Sequence, residues 1–92
     1  MYFLVIQPAL DKILQKLFKR NRKQYEMVVN KMDEVVKNPN HAYKFLHESL
    51  QGFNRIHIDK HFVLLFQIGH AKREVICYYY DHHDKIYNWR PT

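Results

Sequence analysis

The chain has 92 residues, 47% of them hydrophobic and 15% aromatic, with 15 Lys and Arg against nine Asp and Glu for a net charge of +6. That length supplies the core of one domain, residues 1–92, and not of two. The apolar content excludes a disordered chain, and no stretch approaches the ~20 apolar residues of a membrane helix.

The opening MYFLVIQPAL lacks the basic start and small-residue cleavage site of a secretory signal, so a cytoplasmic protein with no membrane partner is expected. The single Cys77 lies in an apolar run, reads as a core residue and fits a reducing compartment. A strong positive charge accompanied by seven histidines points to an anionic partner, nucleic acid foremost.

In chain order, Tyr2 to Ile6 is a short aromatic and β-branched run stopping at Gln7-Pro8, the pattern of a brief strand. Pro8 suits the first turn of a helix, and Leu10, Ile13, Leu14, Leu17 and Phe18 recur at spacings of three and four. An amphipathic helix is therefore predicted from Pro8 to Lys19. The basic turn Lys19, Arg20, Arg22 and Lys23 surrounds Asn21, which is placed to cap a second helix with Gln24 reaching back as in a capping box. Tyr25, Val28, Val29, Met32, Val35 and Val36 form that helix's apolar stripe, which ends at Asn38-Pro39. Two helices so closely joined pack as a hairpin.

Residues 40–51 carry no clear period and are predicted to be an ordered loop. From Gly52 the period becomes two: Phe53, Arg55 and His57 share one strand face, Asn54, Ile56 and Ile58 the other. Asp59-Lys60 makes a turn, Phe62–Phe66 a strand apolar on both faces, residues 69–73 a polar connection, and Val75–Tyr80 a last strand. Alternation would set Tyr79 opposite Tyr78 and Tyr80, and His82 opposite His83. These elements make a three-stranded antiparallel meander covered by the helix pair.

Six of the seven histidines fall in loops, turns or strand ends, where an imidazole can give or take a proton near neutrality. No HxxxH or Cys/His spacing supports a zinc site, so no metal is expected. Nor does a glycine-rich phosphate loop, a hydroxyl-nucleophile motif or a carboxylate pair occur. Cleavage of RNA suits this inventory. The substrate's own 2′-OH is the nucleophile, and the protein supplies a base, an acid and a cation, without a small-molecule cofactor.

Three segments, GFNRIHI (52–58), HFVLLFQI (61–68) and DHHDKIY (81–87), resemble in order and spacing those of the RelE/ParE superfamily of toxin–antitoxin toxins, and within it the YafQ-like ribosome-dependent mRNA interferases. The resemblance covers nearly the whole chain. It implies an α+β fold in which an N-terminal strand and a two-helix hairpin pack on an antiparallel sheet (β-α-α-β-β-β). It also implies cleavage of mRNA on the ribosome and neutralisation by a cognate acidic antitoxin.

Position by position, His57 matches the strand histidine of the YafQ-like toxins, His83 the histidine of their C-terminal motif, and Tyr87 the aromatic residue after it. Arg55 matches a basic strand position, His47 a loop histidine when a gap is allowed, and His61 falls near an acidic position. His83 and His57 are the expected acid–base pair, in either order, with Tyr87 stacking on or orienting a base. Arg55, Lys60, Lys85, Lys19, Arg20, Arg22 and Lys23 are the expected RNA-binding cations. Where many RelE toxins place an arginine early in the third strand, this chain has Val63, so any phosphate-stabilising cation must come from elsewhere, with Arg55 and Lys85 as the candidates. The competing readings are a ParE-like protein that binds DNA gyrase without catalysis, and an inactive antitoxin-bound family member.

Overall fold

The computed structural model describes residues 1–47 and 50–91. Strand β1 (Phe3–Ile6) leads into helices α1 (Pro8–Arg20) and α2 (Arg22–Lys37). Strands β2 (Lys44–Phe45), β3 (Asn54–Ile58), β4 (Phe62–Gly69) and β5 (Glu74–His82) follow, and a 3-10 turn (Ile86–Asn88) comes after them. Pro8 opens α1 as predicted, and Leu10 and Leu14 form its buried stripe. Asn21 caps α2, its Oδ1 accepting from the Gln24 backbone N–H at 3.2 Å.

The second half of the predicted capping box does not form. Gln24 is 8% exposed and faces the sheet, where its side-chain amide donates to the Tyr80 hydroxyl. A buried hydroxyl needs a partner more than an exposed helix end does, since water can serve the latter.

The five strands make one sheet in the order β1-β5-β4-β3-β2. The predicted meander is its centre, β3-β4-β5, all antiparallel. Two edges extend it. β1 pairs parallel with β5, from Phe3 opposite Glu74 to Ile6 opposite Cys77. β2 pairs with β3 inside what was predicted to be loop; residues 48 and 49 of that loop lie outside the described residues. Two residues are too few to show a period, which is why β2 leaves no trace in the pattern.

α1 and α2 cover one face of the sheet, and the core beneath them includes Leu10, Val28, Met32, Ile58, Leu64, Phe66 and Cys77. The opposite face carries a smaller core of Leu46, Leu50, Phe53, Val63, Leu65 and Ile86, without a helical cover. A bulge separates the pairs Leu65–Tyr79 and Phe66–Cys77, leaving Tyr78 as the extra residue. Tyr78 and Tyr79 consequently both pack on the smaller core, and Tyr80 on the helix side. This corrects the expected strict alternation. Among the described residues no helix is long and apolar enough to cross a membrane.

Candidate active site

On the helix-free face, β3, β4, the segment before residue 48 and the 3-10 turn enclose a cavity of about 150 Å³. Its floor is Leu46, Val63 and Ile86; its rim is His47, Arg55, His57, His83 and Tyr87. Period-two geometry puts Arg55 and His57 side by side on one face of β3. The Arg55 guanidinium has no acceptor, so at 3.2 Å it donates to His57 Nδ1, and the proton of the neutral ring sits on Nε2.

His83 follows the last residue of β5, at the same end of the sheet as His57 and the β3–β4 turn. Its backbone N–H donates to the His61 carbonyl at 2.8 Å, tying the end of β5 to the β3–β4 turn, and its Nδ1 lies 2.9 Å from Asp84 Oδ1. Tyr87 stands on the 3-10 turn with its ring parallel to that of His47, centroids 6.3 Å apart. Its hydroxyl accepts the His47 backbone N–H at 3.4 Å.

The affinity of His57 for a proton is lowered, first by loss of solvent, then by the positive charges of Arg55, His83 and Lys44 in that order. His57 and His83 both line the cavity, with Arg55 beside them. Lys44 was not among the sequence candidates. It lies on β2 directly opposite Arg55, and only the unforeseen pairing of that two-residue strand brings it there. Arg55 and His57 also border a groove of about 590 Å³ that runs past Lys44, Tyr43, His41 and Glu34 at the β3 edge.

The remaining candidates are placed less centrally. His61 does not line the cavity; it lies behind His83, ring centroids 6.1 Å apart, and stacks on His82 at 5.8 Å. Lys60 and Lys85 are exposed neighbours of the site in sequence but do not line it. Lys19, Arg20, Arg22 and Lys23 are exposed on the helix layer, across the sheet from the cavity, with Arg22 packed over the Phe18 ring at 3.7 Å. The apolar Val63 forms floor, so β4 contributes no cation.

His82 and His83 do not point to opposite faces. β5 ends at His82 and the chain turns, leaving their rings 4.5 Å apart. Cys77 is fully buried, and burial pushes its thiol up to about 12, which removes it from nucleophilic chemistry.

No family model matches the chain. A protein of Methanocaldococcus jannaschii named "Putative toxin RelE4" is 49% identical over 87 residues, which are 95% of this chain and 92% of that one. The chain belongs to the RelE/ParE toxin superfamily. The fold agrees. YafQ from E. coli superposes with a TM-score of 0.72 at 14% identity, over 95% of this chain and 99% of that one. A chain from the RelBE2 toxin–antitoxin complex of Mycobacterium tuberculosis superposes with a TM-score of 0.73 at 20% identity, over 89% of this chain and 98% of that one. The expected α+β, RelE/ParE-like architecture holds, with β2 added to it.

Proposed function

We propose that this RelE-family chain is the toxin of a toxin–antitoxin pair and an endoribonuclease that cuts ribosome-bound mRNA. The observation that carries the reading is the meeting of His57, His83, Arg55 and Tyr87 around one cavity on the sheet face that the helices leave open.

In this reading the 2′-OH of the scissile nucleotide gives its proton to His57, which its surroundings hold neutral as a base must be. O2′ attacks the adjoining phosphorus, the P–O5′ bond breaks, and His83 returns a proton to O5′. The products are a 2′,3′-cyclic phosphate and a free 5′-hydroxyl. Arg55 has two parts. Before substrate binds, it occupies Nδ1 of His57. A phosphate oxygen is a stronger acceptor than a neutral imidazole, so an incoming phosphodiester draws the guanidinium away, frees Nδ1 as the base and gains a counter-charge. Lys44 adds positive charge where Val63 offers none. Tyr87, its ring parallel to that of His47 and its hydroxyl bonded to the His47 backbone N–H, offers a stacking face for a nucleobase.

The partner that silences the toxin is an acidic antitoxin, matched to the +6 charge. An apolar groove of about 400 Å³ between β1 and the helices, lined by Leu4, Leu14, Phe18, Tyr25 and Met32, suits an amphipathic helix of that partner. A toxin that acts on ribosomes works in the cytoplasm, and this reading puts the chain there.

Induced expression tests the reading. The expected result is arrested translation with mRNAs cut inside codons; arrested DNA supercoiling with intact mRNA would replace it with a ParE-like mechanism.

A further inference from the structure

We propose that His61, His82 and His83 form a binding site for a divalent transition-metal ion of the zinc class, buttressed by Asp84. One ring nitrogen from each histidine lies within 4.8 Å of the others. Tetrahedral zinc with Zn–N bonds of 2.0–2.1 Å requires nitrogens about 3.3 Å apart. The cluster must therefore contract by roughly 1.5 Å at most, a change that side-chain torsions supply, because His61 and His83 are exposed and His82 is half-buried. Borderline metal ions favour imidazole over water, and three protein ligands leave one position open.

The backbone holds the three residues together. The His83 N–H bond to the His61 carbonyl joins the β3–β4 turn to the end of β5, and the His61 and His82 rings lie 3° from parallel.

Asp84 supplies the carboxylate that metal-bound histidines use for orientation. Its Oδ1 is 2.9 Å from His83 Nδ1 and its Oδ2 3.5 Å from His82 Nδ1. In the metal-free chain His82 Nδ1 accepts the Asp84 backbone N–H at 3.2 Å, which puts the ring proton on Nε2. Ligation through Nε2 moves that proton to Nδ1, where the Asp84 carboxylate stands ready to accept its hydrogen bond. On the catalytic reading given above, ligation of His83 also withdraws it from the cleft, but binding itself does not depend on that reading.

The test is calorimetric titration of zinc chloride into untagged, chelator-stripped full-length protein, with NMR spectra of the imidazole rings recorded alongside. One ion per chain is expected, shifting the ring signals of His61, His82 and His83 and leaving those of His41 and His70 in place. Asp84→Asn should weaken binding about 10–100-fold, and His82→Gln by at least as much, with circular dichroism unchanged. The proposal is overturned by absence of saturable binding at millimolar zinc, by equal affinity in His82→Gln, or by shifts at His47 and His57 in place of His61 and His82. Because none of these readings uses RNA, they leave the nuclease proposal to stand or fall separately.

Discussion

His83→Ala separates catalysis from folding with unusual clarity. The His83 side chain is 43% exposed and its ion pair is with an Asp84 side chain that is itself 72% exposed. Exposed pairs of this kind contribute about 0–1 kcal/mol, so the melting temperature should fall by no more than about 4–8 °C. A general acid or base contributes about 10²–10⁴-fold to rate, equivalent to about 2.7–5.4 kcal/mol of barrier.

The variant should therefore remain folded and lose two to four orders of magnitude in single-turnover cleavage of mRNA on programmed ribosomes. His57→Ala should lose a similar factor. The double variant should lose far less than the product of the two, because both groups serve one proton-transfer sequence. A His83→Ala rate within threefold of wild type, with the fold intact, refutes the assignment. Fully multiplicative losses would argue that the two rings act at separate places and not in one cleft.

Other consequences are independently measurable. The proton affinity of His57 should recover toward its ordinary value in Arg55→Gln, and by less in Lys44→Gln, as NMR titration of its ring will show; the reverse ranking contradicts the site's electrostatics. With a folded pKa below the unfolded value of ~6.5, His57 contributes stability that is present above that value and lost as pH falls through the folded pKa. Gln24→Ala strands the buried Tyr80 hydroxyl and should cost about 1–3 kcal/mol in thermal or urea unfolding. Gln24→Met combined with Tyr80→Phe should cost less than Gln24→Ala alone, and a double variant no better than the single would show that the bond has no such role. Cys77 should resist thiol reagents in the native protein and react on unfolding; rapid native labelling would contradict its burial.

The periodic parts of the chain were readable because apolar spacing reports which face is buried. Leu10 and Leu14 on α1, Val28, Met32 and Val35 on α2, and Arg55 and His57 on β3 lie where their spacing puts them. What spacing cannot report is pairing. The parallel seat of β1 against β5, the contact of Lys44 with the site and the convergence of His61 on His82 are made by residues distant in sequence, through register alone. The bulge at Tyr78 is a further case. One extra residue reverses the faces that alternation assigns, and nothing in Tyr78-Tyr79-Tyr80 announces it. Nor does charge density report which face carries a cluster: the basic residues from Lys19 to Lys23 lie on the helix layer, across the sheet from the cavity.

The central claim is that the RNA's own 2′-oxygen is the nucleophile, delivered into the cavity shared by His57 and His83. A ribosome programmed with an mRNA carrying a single 2′-deoxynucleotide at the cleaved position tests it most directly. The account predicts that this one missing hydroxyl abolishes the cut at that bond, while the unmodified message yields 2′,3′-cyclic phosphate and 5′-hydroxyl ends. Undiminished cleavage of the deoxy-substituted message, or a 5′-phosphate on the product, would contradict it.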